Sequence, residues 1–393
     1  MTTPFDTPIS REHTWAEKYE ARSRLFGHTD LRPMWVADME FASPPFIIQA
    51  LHQRLNHPIL GYSEYPFALK QQVCDWQNRR FGWSPDPNGV YWLNGVVSGL
   101  YTSVQCLTQP NDGVIVFTPI YPPFMRAVSD QGRRLLACPL QLDSEGYRID
   151  WPALERLLSD ASLLLLSNPH NPGGQVWSAD TLMQLGERCL AHKVTLVSDE
   201  IWADLNLNPQ RHPHIPLASL STAIAQHSIT LNAPSKAFNL AALQTAYALI
   251  PNAHLAQAFS QQQQRTRAAE PNLFGMIALQ AAYTDQGEAW LTQQLIPYLN
   301  QLVDLAEAEL TPNKALHWLR PHASYLLWLD FRQRFQNSEA LEHWCYDQAK
   351  LGLSPGHHFG EAGRGFMRMN LAMPLSELQQ ALRQFNQAWL CDY

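Results

Sequence analysis

Residues 163–174 read LLLLSNPHNPGG: four consecutive leucines, then a polar turn with two Asn-Pro steps and a Gly-Gly pair. An apolar run this short, closed by turn residues, fits a buried strand covered on both faces. The turn is sharp and can aim one amide, that of Asn171, at a ligand; a turn with no further role is the alternative. The same grammar recurs on either side. Val114–Phe117 runs into Thr118-Pro119, Val194–Val197 into Ser198-Asp199-Glu200, and Ile229–Leu231 into Asn232-Ala233-Pro234-Ser235-Lys236. Such strands, alternating with helical stretches, predict an α/β domain around a mostly parallel sheet. Ligands of such sheets sit at the carboxyl ends of the strands. The unusual polar residues of this chain fall there.

The chain has 393 residues, enough for two or three domains and a large core. Apolar residues make up 46% and charged ones 16%, which excludes a disordered chain. A net charge of −7 leaves no basic excess to hold a nucleic-acid backbone or an anionic membrane surface. No apolar run reaches the roughly 18 residues of a membrane helix. The longest candidate, Phe238–Pro251, is interrupted by Asn239 and Gln244. The opening stretch MTTPFDTPISREHTWAEKYE lacks the apolar core of a secretory signal. Cys74, Cys106, Cys138, Cys189, Cys345 and Cys391 form no CxxC pair. They are expected to be reduced thiols of a cytoplasmic protein, without a metal site. There is no internal repeat. The one low-complexity patch, Gln261–Gln264, is expected on the surface of a helical region running from about 252 to 310.

Lysine is scarce, with six in all, and Lys236 directly follows a buried strand. A solvated surface lysine is the plain reading; a partly buried one has a lowered pKa and can form a Schiff base. Asp199 also ends a buried strand, where a carboxylate costs several kcal/mol unless a cation or a helix N-terminus satisfies it. Asn171, Asp199 28 residues later and Lys236 a further 37 residues on form one set. Pyridoxal phosphate needs all three: the lysine for its aldehyde, the carboxylate for a protonated pyridine nitrogen, and a donor for its phenolic oxygen.

The chain resembles the fold-type I pyridoxal-phosphate enzymes of the aminotransferase class I/II group. Within it the resemblance is to the MalY/PatB branch, the cystathionine β-lyase-like carbon–sulfur lyases. The motifs span nearly the whole chain. They are PMWVADM from Pro33, Gly61-Tyr62, NGVVSGL from Asn94, PIYPPF from Pro119, NPHNPGG from Asn168 and SDEI from Ser198. APSKAFNL from Ala233, SYL from Ser324, Phe359-Gly360 and GRGFMRMN from Gly363 complete them. The resemblance implies a large domain with a seven-stranded-type sheet sandwiched by helices, plus a smaller α+β domain. It implies an arm over 1–45, a cofactor domain over 46–275 and a small domain over 276–393.

The resemblance also assigns roles. Lys236 would bond the cofactor and later move the Cα proton. Asp199 would hold the pyridine nitrogen, Asn171 the phenolic oxygen, and Tyr121 would stack on the ring. Val96, Val97 and Ser98 would offer N–H groups to the phosphate at a helix start, a site that favours anions on physical grounds alone. Ser235 would add a hydroxyl. Tyr62 would reach the phosphate from a partner subunit, implying a homodimer with shared sites. Arg368 would clamp the substrate carboxylate, a planar group suited to its fork of donors. Ala37, Tyr121 and Asn171 would complete the substrate site. Trp15, Tyr19 and Trp35 are candidates for shaping a thiol pocket.

Departures from the pattern are Trp202, Ala233, Gln244 and Gln175. Trp202 stands where relatives have Tyr or His; its indole can donate to the phenolic oxygen but cannot accept a proton. Ala233, Gln244 and Gln175 replace Ser, Arg and Arg, and are expected to weaken the grip on phosphate. The reading that follows is β-elimination from L-cystathionine or a related cysteine S-conjugate, giving a thiol, pyruvate and ammonia. An aminotransferase is the alternative within the same cofactor. A regulatory or interaction protein on this scaffold is the alternative from another class.

Overall fold

The computed structural model of the chain describes residues 4–391. Seven strands form the central sheet: β1 (Val90–Leu93), β2 (Gly113–Thr118), β3 (Arg134–Pro139), β4 (Ala161–Ser167), β5 (Thr195–Asp199), β6 (Ser228–Asn232) and β7 (Ala246–Leu249). Their order is β1-β7-β6-β5-β4-β2-β3. All pairings are parallel except those of β7, which is antiparallel to both its neighbours. The four apolar runs singled out in the sequence are β2, β4, β5 and β6.

These strands are apolar without alternation because both faces are covered. Val114, Val116, Leu163 and Leu165 pack toward Leu100, Val104, Phe124 and Phe259, from helices 96–107, 122–129 and 253–266. Their neighbours Ile115, Phe117, Leu164 and Leu166 point the opposite way, toward Leu154, Leu158, Leu182 and Leu185 of helices 151–158 and 179–191. Successive residues of a strand face opposite sides, so each leucine of the LLLL run is buried whichever way it points.

A second sheet is antiparallel: β8 (His317–Trp318), β9 (Leu326–Asp330), β10 (Ser354–Pro355) and β11 (Phe366–Asn370), in the order β8-β9-β11-β10. The N-terminal segment is tied to this part of the molecule. Arg32–Pro33 pairs in parallel with Leu351–Gly352. The loop that follows, Trp35 to Met39, then runs between the two sheets to the mouth of the central one.

Two glycines place helix 96–107 against the sheet. Gly95 precedes helix 96–107 with φ +134°, a backbone that side chains rarely adopt. Gly99 lies against the sheet; a Cβ there would come within 2.8 Å of Leu93 and 2.9 Å of Leu231. The helix can therefore sit close on the sheet with its first N–H groups at the strand ends.

The glutamine patch differs from expectation. Gln261 and Gln264 are exposed, but Gln262 and Gln263 are buried. Gln263 Nε2 donates to the Trp92 carbonyl at 2.7 Å. Trp92 lies on β1, an edge strand, whose outward backbone groups need partners. Among the described residues no helix is long and apolar enough to cross a membrane, and no cluster of three potential metal ligands occurs.

Candidate active site

Of the residues assigned to the cofactor and the substrate, all but Tyr62 line one cavity of about 420 Å³ at the carboxyl ends of the central strands. Tyr62 is fully exposed, in a stretch that also exposes Ile59 and Leu60. Of the three aromatics offered for a thiol pocket, Trp35 lines the cavity. Trp15 instead is 93% exposed, and Tyr19 turns its hydroxyl to Glu40 at 3.0 Å.

Lys236 follows β6 and brings its amine to the Ala37 carbonyl, 2.8 Å away. The same amine lies 5.5 Å from the centre of the Trp202 ring. Burial pushes the Lys236 pKa down to about 8, and Arg368 adds to the effect; Asp38 and Asp199 oppose it. A substantial neutral fraction near pH 8 is what a base requires.

Asp199 ends β5 and is buried. Its Oδ1 accepts from Ile201 N at 3.1 Å, and Lys236 acts on it only from a distance. Burial therefore pushes its pKa up to about 7. A carboxylate held at the end of a buried strand without an adjacent cation is a site prepared for one.

Arg368 lies on β11 and is 5% exposed. Its Nη1 donates to Asn171 Oδ1 at 3.1 Å and its Nη2 to the Trp35 carbonyl at 3.0 Å. Its Nε is buried without a partner. The guanidinium sits 4.9 Å over the Phe359 ring, and burial lowers its pKa to about 10. Neutral partners and one orphaned donor leave this cation short of an anion.

The first turn of helix 96–107 supplies unpaired N–H groups at Val96, Val97 and Ser98. The Ser98 hydroxyl closes that turn on the Gly95 carbonyl at 2.7 Å. Tyr121 and Ser235 stand on the same wall. Burial raises the Tyr121 pKa, so its phenol stays neutral. Together these residues fit pyridoxal phosphate: an amine, a cation-seeking carboxylate and an anion-seeking helix start face one space.

Two of the departures take on definite places. Gln244 lines the cavity. Gln175 does not: its Oε1 accepts from Tyr147 N at 2.6 Å and its Nε2 donates to Tyr147 O at 2.7 Å. The expectation that Gln175 loosens the phosphate grip is therefore corrected. Its amide is spent on the backbone of the hairpin 141–148.

Sequence reasoning passed over the clamp on the Trp35–Met39 loop. Asn370 Nδ2 donates to Val36 O at 2.6 Å and Asp38 O at 2.7 Å. Asn239 Nδ2 donates to Met39 O, and its Oδ1 accepts from Met39 N, both at 3.0 Å. Tyr325 Oη donates to Ala37 O at 2.9 Å. Lys18, wholly buried, pairs with Glu40 at 2.7 Å and Asp38 at 3.3 Å, while Arg11 pairs with the same two carboxylates. Burial alone would raise the Asp38 pKa; Arg11 and Lys18 hold it below the usual carboxylate range. The available signal was a polar residue inside an apolar run: Tyr325 before LLWLDF, Asn370 at the end of GFMRMN.

Residues 36–385 match the aminotransferase class I and II family. The chain is 42% identical to cystathionine β-lyase PatB of Bacillus subtilis, over 98% of this chain and 99% of that one. The crystal structure of cystalysin from Treponema denticola, which contains a pyridoxal 5′-phosphate cofactor, superposes with a TM-score of 0.94 at 31% identity, covering all of both chains. A pyridoxal-phosphate-bound C–S lyase from Staphylococcus hominis gives 0.91 at 28% identity over 99% of each. The chain belongs to the aminotransferase class I and II family.

Proposed function

We propose that this chain is a pyridoxal-phosphate-dependent carbon–sulfur β-lyase that cleaves L-cystathionine or a related cysteine S-conjugate to a thiol, pyruvate and ammonia. The observation that carries it is the meeting of Lys236, Asp199 and Arg368 in one cavity, each lacking the partner that a cofactor-bound amino acid provides. The names of the similar proteins, a cystathionine β-lyase and a C–S lyase, support elimination over transamination.

Bound pyridoxal phosphate supplies an aldehyde for the substrate amino group and a sink for the Cα electrons. The residues do the rest. Arg368 takes the α-carboxylate through donors that Asn171 and the Trp35 carbonyl hold in orientation. Asp199 would hold the pyridine nitrogen in its cationic form. Val96, Val97 and Ser98 would hold the phosphate through backbone N–H groups, and Ser235 through its hydroxyl. Asn171 and the Trp202 indole would donate to the phenolic oxygen, and Tyr121 would stack on the ring. Lys236, as a neutral amine, takes the Cα proton. The electrons left at Cα form a Cα–Cβ double bond as the Cβ–S bond breaks and the sulfur leaves with its electron pair as a thiolate; water hydrolyses the released aminoacrylate to pyruvate and ammonia.

The test is pyruvate release from L-cystathionine by the purified protein with added pyridoxal phosphate and no keto acid acceptor. Pyruvate with equimolar free thiol is expected. No pyruvate from cystathionine or any other β-thioether, with the cofactor band intact, would transfer the reading to an aminotransferase.

The active form in this reading is a cytoplasmic homodimer in which Tyr62 of each subunit reaches the phosphate of the other. Tyr62 lies bare beside Ile59 and Leu60, a contiguous apolar stretch of the kind that interfaces cover. Six unpaired cysteines suit a reducing compartment. Mixing Tyr62→Ala with Lys236→Ala subunits is expected to restore activity above either parent, because one hybrid site recovers both groups. Activity no greater than the sum of the parents would count against shared sites.

A further inference from the structure

The Ala37 carbonyl accepts two hydrogen bonds at once, from Lys236 Nζ at 2.8 Å and from Tyr325 Oη at 2.9 Å. A carbonyl oxygen has two lone pairs, so this acceptor is saturated. Tyr325 is 1% exposed, and a buried hydroxyl without a partner is costly, so its hold on Ala37 is firm. Its ring stands edge-on to Trp202 at 5.1 Å, and the Trp202 face lies under the Lys236 amine. Tyrosine, indole and lysine thus form one packed unit around a single backbone oxygen.

We propose that the Ala37 carbonyl is the docking point of the Lys236 amine whenever that amine is free, and that Tyr325 is the positioning residue that keeps this oxygen in place. The inference rests on the reading of Lys236 as the base that moves the Cα proton. With a substrate amino group on the cofactor aldehyde, Lys236 would be free, and its amine must then stay nearby with its lone pair available. A carboxylate would be a poor host, because it would hold the ammonium form. Asp38, the carboxylate next to the docking point, is already engaged by Arg11 and Lys18. A neutral carbonyl accepts one N–H and leaves the amine's lone pair available. Asn370 pins the peptide carbonyls on either side, those of Val36 and Asp38, so Ala37 O cannot follow the lysine as it moves. The charged and titratable groups facing Lys236 are Asp199 at the end of β5, Arg368 on β11, Asp38 in the N-terminal loop and Tyr325 before β9.

Tyr325→Phe in the full chain tests this with two readouts. In the cofactor-free protein, acylation of Lys236 by an amine-reactive ester, followed by peptide mass spectrometry across pH, gives the lysine's titration midpoint. Without its second donor, Ala37 O becomes a stronger acceptor for the ammonium, and the midpoint is expected to rise by about half a pH unit or more. In the loaded enzyme, kcat for pyruvate release is expected to fall about tenfold or more with KM within about twofold, the mark of a misplaced base. A midpoint that is unchanged or lowered, or an unchanged kcat, overturns the proposal. Should the Phe variant fail to fold, 3-fluorotyrosine at position 325 keeps the shape and donates more strongly. The midpoint is then expected to fall, and a constant or raised midpoint overturns the proposal. Absence of pyruvate from every β-thioether with the wild-type protein would end the lyase reading instead, while the labelling midpoint would still decide the docking claim.

Discussion

Lys236→Ala is expected to abolish turnover, with pyruvate release from L-cystathionine falling by at least about 10³-fold. The protein nonetheless folds, because the Lys236 side chain does little structural work. Its one hydrogen bond is to Ala37 O, which keeps Tyr325 Oη as a second donor. The amine is also a poorly solvated cation, depressed to about 8 by burial, so its removal relieves a cost rather than creating one. The measurements are pyruvate release, thermal unfolding and the cofactor absorption band of wild type and variant side by side. An unfolding midpoint within a few degrees, with no turnover and an altered band, is the expected result. Full activity in the variant would refute the assignment of Lys236 as the reacting lysine.

That lysine was legible before any coordinates, and so was the sheet beneath it. Buried parallel strands must be apolar throughout, so their polar ends stand out in the chain: Asn171 after β4, Asp199 closing β5 and Lys236 after β6. Periodicity and turn chemistry are local properties, and a sequence displays them directly. The helix start at Val96 was expected only through the family resemblance of the NGVVSGL stretch. What stayed hidden depends on which distant backbone atom a side chain meets. Gln263 is an ordinary helix-surface residue by pattern, yet it is buried because an edge strand presents the Trp92 carbonyl to it. Gln175 sits one residue past the NPGG turn, close to the cofactor site in sequence, yet its amide serves the Tyr147 backbone. The Trp35–Met39 loop is the strongest example. Its clamp draws on Lys18, Asn239, Tyr325 and Asn370, four residues spread over 352 positions, which nothing but folding brings together. The Trp-Val-Ala-Asp-Met motif marks the family branch, but its physical content is the backbone oxygens that it presents.

Asp199→Asn is expected to separate function from stability in opposite directions. The Asp199 pKa rises from the ordinary 3.8 to about 7 in the folded, cofactor-free protein, chiefly through burial. The sign follows from proton counting. Between about pH 4 and pH 7 the unfolded chain has released this proton while the folded chain still holds it, so folding loses stability as pH rises through that window. Above about pH 7 both states are ionised, and the loss stays at its full value, on the order of 4 kcal/mol for a difference this large. Asparagine has the same shape and never ionises. The cofactor-free variant should therefore match wild type near pH 4 and be more stable by a few kcal/mol at pH 8, as read by denaturant unfolding at the two pH values. Activity should move the other way. A neutral amide cannot stabilise a protonated pyridine nitrogen, and kcat should fall by about 10²-fold or more, since that cation is what draws electrons from Cα. Saturating cofactor should shrink the stability difference, because the pyridinium gives the wild-type carboxylate the counter-charge that the protein itself withholds. A variant with unchanged turnover would refute the pyridinium role. A variant that is no more stable at pH 8 than wild type would show that the empty site does not strain this carboxylate.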